Sequence, residues 1–198
     1  MITKEEWLRH AVEMHDSDVF NGGLDGEKQD RLNHMDRIFK KYIDYEDIHH
    51  VLDFGGAKGD FVFQKFNNAT KYVYDLDETP SNYDCKKINF DQLSNIKWDF
   101  IQCCHVLEHL SNPLIYVHRI VSLMPPGGYL YVEVPFTDLT IIKNPIVTIH
   151  EHINFFTLKS FDKLFQKLNM KMFANEICDL KHAFGRNNQI ISTLVRKV

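Results

Sequence analysis

The stretch that decides the fold is Val51-Leu52-Asp53-Phe54-Gly55-Gly56-Ala57-Lys58-Gly59. Its first residues are mostly apolar, as in a buried β-strand, and its glycines end that strand in a tight turn. Glycine tolerates positive φ and, lacking a Cβ, lets a ligand approach the main chain closely. A plain turn between a strand and a helix would also explain these glycines. The stretch therefore predicts a strand followed by a turn that either only redirects the chain or cradles a ligand.

Strands and helices alternate on both sides of this turn. We expect helices over 59–67, from Asn112-Pro113 to the stop at Pro125-Pro126-Gly127-Gly128, and after Thr157. The predicted strands are 50–54, 71–76, 86–90, 98–103, 129–134, 171–177 and 189–196. This alternation is typical of an α/β fold with a mostly parallel sheet and helices on both faces, and the two final strands indicate an antiparallel edge hairpin. Ligands of such sheets bind beyond the carboxyl ends of the strands.

The amino-terminal part differs in character from the rest. Residues 1–45 are polar and predict helices over 3–15 and 27–43. We interpret residues 1–45 as a helical lid or packing segment and residues 46–198 as the α/β domain. The length of 198 residues suits one compact core.

Composition narrows the classes of function. The net charge is −4 and no basic stripe is visible, which argues against a nucleic-acid partner. The four cysteines lack metal or redox spacing and are interpreted as small buried apolar residues. The amino terminus lacks the apolar segment of a signal peptide, and no apolar run reaches the roughly 18 residues of a membrane span. We therefore expect a soluble, cytoplasmic protein that does not associate with membranes.

Acidic residues follow the next two strands. Asp77 lies 24 residues beyond Asp53, about the spacing at which an acid meets the ribose hydroxyls of a bound nucleotide. Asp75 is a near neighbour that could serve instead. Asp91 follows the third strand, where its carboxylate could accept a hydrogen bond from an adenine amino group. Solvated loop acids would explain each one alone, but together with the glycine turn they favour nucleoside binding.

The segment His105-Val106-Leu107-Glu108-His109-Leu110-Ser111-Asn112-Pro113 is followed by a helix and by Pro126-Gly127-Gly128. In the order and spacing of these motifs, roughly residues 48–178 resemble the class I S-adenosylmethionine-dependent methyltransferases whose fourth strand precedes V-L-E-H. The resemblance implies a Rossmann-like sheet of seven strands with an antiparallel last strand. It also implies S-adenosylmethionine as the methyl donor over strands one to four, S-adenosylhomocysteine as the product, and an acceptor over strands four and five.

Ten residues are candidates for donor binding, and the resemblance matches all of them except Asp53 and Asp75 to positions of the family pattern. They are Asp53, Gly55, Gly56, Ala57 and Gly59 in the turn, Asp75 or Asp77 at the ribose, Asp91 at the adenine, and His105 and Val106 beside the methionine moiety. Ala57 departs from the family pattern, which has glycine there; close approach should survive unless the position needs positive φ. The segment between strands three and four is short, which predicts that its usual helix is missing. A nicotinamide dehydrogenase would share the glycines and the acid but not V-L-E-H and P-G-G.

Two histidines are candidate catalytic residues. Methyl transfer from a sulfonium mainly requires positioning of the acceptor, but a hydroxyl acceptor also benefits from a base. His150 and His152 lie in the long loop after strand five, which faces the acceptor in the family that the chain resembles, and imidazole titrates near neutrality. We predict that at least one of them acts on the acceptor; packing against the next helix is the alternative.

A metal site is the competing interpretation of the same region. His105, Glu108 and His109 share one face if their segment makes a helical turn, and with His152 they could bind a divalent cation. V-L-E-H also occurs where no metal is bound, so packing is the favoured interpretation and we predict no metal.

The sequence thus predicts a methyltransferase that acts on a small-molecule acceptor, through a hydroxyl of, for example, a sugar. Two alternatives stay open at this point. One is a carbon- or nitrogen-directed methyltransferase with the same donor site, and the other is a non-catalytic module that retains the fold. The identity of the acceptor, the pathway and the oligomeric state are not encoded in any motif described above.

Overall fold

The computed structural model describes residues 24–76, 81, 84–136, 152–181 and 187–198. Its strands are β1 (His50–Phe54), β2 (Thr70–Tyr74), β3 (Cys85–Lys87), β4 (Phe100–Cys104), β5 (Tyr129–Pro135), β6 (Met170–Lys181) and β7 (Asn187–Lys197). They form one seven-stranded sheet in the order β3-β2-β1-β4-β5-β7-β6. Each predicted strand is present; β3 is shorter than predicted, and β6 and β7 are longer.

The strand directions confirm the predicted fold class. Strands β1 to β5 pair in parallel, whereas β7 is antiparallel to both β5 and β6. The strand order reverses at β1 and β4, because the chain builds outward first through β2 and β3 and then through β5. The crevice at such a reversal, beyond the carboxyl ends of the strands, is where sheets of this kind bind ligands.

Two helices pack on one face of the sheet. They are α2 (Pro113–Ser122) and α3 (Leu158–Lys167), and their side chains share a buried cluster with β1, β4 and β5. Both begin as predicted: Asn112 accepts a hydrogen bond from the Ile115 N–H, and Thr157 accepts one from the Ser160 N–H. These side chains satisfy main-chain donors that the first turn of a helix leaves unpaired.

A third helix packs on the opposite face. This is α1 (Leu24–Phe39), which buries Met35, Ile38 and Phe39 in a second cluster with residues of β1, β4 and β5. It corresponds to the helix predicted over 27–43, displaced toward the amino terminus, whereas the helix predicted over 3–15 lies outside the described residues. Helices therefore cover both faces, as predicted. The division of the chain at residue 45 stays a prediction.

The predicted helix over 59–67 is wrong. Residues 55–69 form consecutive turns. The Phe63 N–H donates to Oε1 of Gln102 (3.1 Å), and Nε2 of Gln102 donates to the Phe61 carbonyl (3.0 Å). A side chain of β4 thus pairs main-chain groups that a helix would pair internally. Phe63 and Phe66 pack in the second cluster against Phe39. Tertiary contacts override local helical preference here.

Between β3 and β4 the chain forms a six-residue 3₁₀ helix (Phe90–Asn95), in agreement with the prediction that the usual α-helix is missing. No helix in the described part of the chain is long and apolar enough to cross a membrane.

Candidate active site

The glycine turn lies at the carboxyl end of β1. Gly55 and Gly59 have φ values of +77° and +82°, a region that side chains other than glycine rarely adopt. A Cβ on Gly55 would lie 2.4 Å from Cγ2 of Val106, and a Cβ on Gly59 would lie 2.9 Å from Cγ2 of Val73. The missing side chains therefore allow the turn to lie directly against Val73 and against Val106, which is one of the residues predicted beside the methionine moiety.

Ala57 also has positive φ, at +46°. The alanine in place of the family's glycine therefore carries a cost, because a left-handed backbone costs a non-glycine residue about 1–2 kcal/mol. Two hydrogen bonds hold it there. The Ala57 N–H donates to Oδ2 of Asp75 (2.7 Å), and Nζ of Lys87 donates to the Ala57 carbonyl (2.6 Å). Residues on and beside β2 and β3 thus fix the conformation of the turn.

Asp53 lies beneath the turn. It is 2% exposed, and a Cβ on Gly56 would lie 2.3 Å from its carboxyl group. Its Oδ2 has no hydrogen-bond partner among the described residues. Burial raises the pKa of Asp53 to about 7, and Asp75 adds to that effect, whereas Gln102, Arg31 and Lys87 oppose it. Asp53 therefore supports the turn as a carboxyl group poised between its two protonation states.

The other predicted acids occupy different environments. Asp77 lies outside the described residues. Asp75 is half-buried and bonded to the turn. Asp91 is exposed in the first turn of the 3₁₀ helix after β3. The structure leaves the predicted ribose and adenine roles untested.

A buried charged network joins α1 to β5 and to the residue that follows β4, and the sequence did not predict it. Nε of Arg31, on α1, lies 2.7 Å from Oε1 of Glu133. Nε2 of His105 lies 2.6 Å from a guanidinium nitrogen of Arg31 and 3.0 Å from Glu133. The Tyr131 hydroxyl donates to the second oxygen of Glu133 (3.0 Å). We call Arg31, His105, Tyr131 and Glu133 the buried network.

The pKa values of Glu133 and His105 are shifted by burial and by the charged groups next to them. Burial alone would raise the pKa of Glu133, but Arg31 and His105 outweigh it and the pKa is lowered. Burial and Arg31 lower the pKa of His105, but its contacts with Glu108 and Glu133 outweigh them and the pKa is raised. His105 also has positive φ, at +55°. The network therefore holds its ring in place with charges on both sides.

The sequence held one signal for this network. Glu133 stands in Tyr129-Leu130-Tyr131-Val132-Glu133-Val134, where an acid interrupts a strand that is otherwise apolar or aromatic. A buried charge is retained only when it has partners, so the strand itself pointed to a buried cation. No local pattern identifies Arg31 as that cation.

Asn154 and its neighbours bring a distant segment to the V-L-E-H turn. The N–H groups of Ile153 and Asn154 both donate to the Glu108 carbonyl, at 2.9 and 3.0 Å. Nδ2 of Asn154 donates to the Leu110 carbonyl (2.5 Å). These bonds place the ring of His152 4.8 Å from that of His109, edge to face.

The four residues weighed as a competing metal site are only partly brought together. Glu108, His109 and His152 each offer a ligand atom within 4.8 Å of the others. His105 is not in this group, although its Nδ1 lies 3.4 Å from Oε1 of Glu108. Of the two predicted bases, His152 lies at this cluster, and His150 lies outside the described residues.

The chain matches the sequence model of a family described as a methyltransferase domain, over residues 28–174. No curated protein sequence matches it at a significant level.

Solved structures share the fold at low sequence identity. A putative methyltransferase from Bacillus halodurans superposes with a TM-score of 0.62 at 12% identity, covering 85% of this chain and 99% of that one. Magnesium protoporphyrin IX methyltransferase from Synechocystis, with bound S-adenosylhomocysteine, gives 0.60 at 15%, covering 87% and 84%. Human N-acetylserotonin methyltransferase, in complex with S-adenosylmethionine, gives 0.58 at 13%, covering 86% of this chain but 56% of that one.

Proposed function

The chain belongs to the methyltransferase domain family, and from this membership we propose that it transfers a methyl group to a hydroxyl of a small-molecule acceptor, for example a sugar. The donor is S-adenosylmethionine, and S-adenosylhomocysteine is released. The sulfonium is already an activated leaving group, so the protein must mainly hold donor and acceptor in line.

One observation carries the donor half of the proposal. The turn of residues 55–59 meets Val106 where the strand order reverses, and it has no side chain at Gly55, Gly56 and Gly59. In this proposal the main chain of the turn, His105 and Val106 hold the methionine moiety. Asp75 already bonds the Ala57 N–H, which favours Asp77 over Asp75 at the ribose. Asp91 would contact the adenine, and Asp53 would support the turn from beneath.

The acceptor half rests on the histidines at the neighbouring edge of the sheet. His109 and His152 lie together on segments that follow β4 and β5, the side at which we place the acceptor. Both ring nitrogens of His105 already contact charged groups, so neither is left to act as a base toward the acceptor. We therefore keep His152, with His150, as the candidate base.

The experiment has two stages. Mass spectrometry of the purified protein tests for a co-purified nucleoside, and calorimetry measures the affinity for S-adenosylmethionine and S-adenosylhomocysteine. A chain that binds neither would be a non-catalytic module, which contradicts the proposal.

Labelled donor is then offered to panels of hydroxyl, amine and carbon acceptors, and labelling of hydroxyl compounds is expected. His150→Gln and His152→Gln should leave donor affinity unchanged, and one of them should lower turnover by about 10²–10⁴-fold. Labelling confined to amines or carbon would support the N- or C-directed alternative and overturn the hydroxyl assignment.

A further inference from the structure

We propose that Glu108, His109 and His152 form a binding site for one divalent first-row metal ion, at the acceptor side of the sheet. The three ligand atoms come from two segments that main-chain hydrogen bonds tie together. Binding of the ion stands independently of the proposed function, and only the ion's catalytic role rests on it. The site reverses the expectation, drawn from the sequence, that these residues serve packing alone.

The main chain fixes the geometry of the site. Glu108 and His109 lie in a 3₁₀ turn (Leu107–His109) directly after β4. The N–H groups of Ile153 and Asn154 converge on the Glu108 carbonyl, at 2.9 and 3.0 Å, and anchor the main chain next to His152 to this turn. Main-chain hydrogen bonds therefore keep His152 close to Glu108 and His109.

The carboxylate of Glu108 is the observation that points to a cation. Glu108 is 1% exposed, and neither of its carboxylate oxygens has a hydrogen-bond partner within the described ranges. Nδ1 of His105 and Nε2 of His109 approach Oε1 at 3.4 and 3.8 Å, which are ion-pair contacts without hydrogen-bond geometry. A buried carboxylate without donors is costly. A metal ion bound between Glu108 and the histidines would remove that cost.

The donor set selects the class of metal. Two imidazoles and one carboxylate suit Zn²⁺ and its first-row neighbours, whereas Mg²⁺ and Ca²⁺ prefer oxygen ligands throughout. With bonds of about 2.0–2.1 Å, tetrahedral ligand atoms lie about 3.3 Å apart, so side-chain rotations from the present maximum of 4.8 Å would close the site. Three protein ligands leave a position open for an exogenous oxygen, as in catalytic zinc sites.

The open position gives the ion a role in the proposed reaction. A bound cation lowers the pKa of an oxygen ligand, so a hydroxyl on the ion would release its proton to solvent. Its oxygen would then form the bond to the methyl carbon as the carbon–sulfur bond breaks, and the electron pair of that bond would stay on the sulfur. His152 would in that case act as a ligand and not as a free base.

The test uses the full chain, stripped with EDTA and desalted, with Zn²⁺ as the probe and no donor or acceptor present. Calorimetry should give one Zn²⁺ per chain, and Zn²⁺ should raise the melting temperature. Glu108→Gln and His152→Ala should each weaken binding by at least tenfold. His118→Gln, at an exposed histidine on α2, is the matched control and should bind as the wild type does.

Glu108→Gln also separates a metal ligand from a merely structural residue. Replacing a buried carboxylate that lacks hydrogen-bond donors by a neutral amide should raise the melting temperature of the metal-free protein and abolish its response to Zn²⁺. A wild type that binds no Zn²⁺, or variants that bind as tightly as the wild type, would overturn the proposal. His109→Asn replaces either variant if it fails to fold.

The two proposals fail in different ways. If Zn²⁺ binds through these residues but no acceptor is methylated, the metal site stands and the proposed function falls. If methyl transfer proceeds unchanged in EDTA, the ion's catalytic role is overturned.

Discussion

The two halves of the carboxyl edge are built by different means. Beside β1 to β3, the side at which we place the donor, the backbone forms a turn with three positive φ values at Gly55, Ala57 and Gly59, held by two hydrogen bonds. Beside β4 and β5, the side at which we place the acceptor, the charged side chains of Arg31, His105, Glu108 and Glu133 are packed together. One edge of the sheet thus combines a turn built from main chain with a set of buried ionisable side chains.

The largest expected effect is on the donor side. Gly55→Val places a branched side chain at φ +77° and against Val106, in the space assigned to the methionine moiety. We expect no measurable binding of S-adenosylmethionine by calorimetry, with the circular dichroism spectrum of a folded protein. As a control, Gly55→Ala should recover in part when combined with Val106→Ala, which removes the 2.4 Å contact. Normal donor binding by a folded Gly55→Val protein would show that the glycine turn does not form the donor site.

The second-largest effect is expected from a variant that disrupts the buried network. Arg31→Met removes the cation from the buried Glu133, and breaking a buried ion pair typically costs about 3–5 kcal/mol. Arg37→Met is the matched control on the same helix, because its pair with Glu176 is exposed and should contribute no more than about 1 kcal/mol. Urea denaturation measures both. Equal losses for the two variants would show that the buried network does not hold α1 to the sheet.

The contribution of Asp53, beneath the glycine turn, to the stability of the protein should depend on pH. Its folded pKa of about 7 lies above the ordinary value of 3.8, so the folded protein binds the proton more tightly than the unfolded chain does. Its contribution to stability is therefore complete below about pH 4 and is lost as the pH rises to about 7. Each tenfold difference in proton affinity between the folded and unfolded states corresponds to about 1.4 kcal/mol. Asp53→Asn should lack this slope, so the difference in stability between the wild type and the variant should change between about pH 4 and pH 7. Stability curves that run parallel over this range would disprove the assignment.

A smaller effect tests the ribose assignment. Asp77→Ala should weaken S-adenosylmethionine binding by roughly ten- to a hundredfold, because a hydrogen bond to a charged group contributes about 1.5–3 kcal/mol. Asp75→Asn, the comparison variant, should act mainly by loosening the Ala57 turn. If calorimetry shows an unchanged dissociation constant for Asp77→Ala and a large loss for Asp75→Asn, the ribose role moves to Asp75.

The smallest effect concerns strain. Ala57→Gly relieves a left-handed residue at φ +46° but also gives the unfolded chain more freedom, so the net gain in stability should be about 1 kcal/mol or less. Thermal unfolding measures it. A clear loss of stability would mean that the two hydrogen bonds to the turn relieve the strain completely.

The sequence predicted what lies in contiguous stretches. The strand and glycines of residues 51–59, the caps Asn112 and Thr157, and the succession of strands along the chain depend on local pattern, and the structure has them where expected. The predicted helix over 59–67 failed because Gln102, from another strand, pairs the main chain there. Arg31 was missed for a related reason: it lies 74 residues from His105, and no local pattern specifies a contact made by topology.

The turn segment between Gly55 and Ala69 has one more consequence. A helix that starts at a glycine turn points its amino end, with a partial positive charge, at the ligand, which is how dinucleotide-binding folds hold a pyrophosphate. In these fully described residues no helix follows the turn, so this dipole is absent. S-adenosylmethionine has no phosphate and carries a positive sulfonium, which such a dipole would repel. The loss of the helix thus favours a cationic nucleoside over a phosphorylated one.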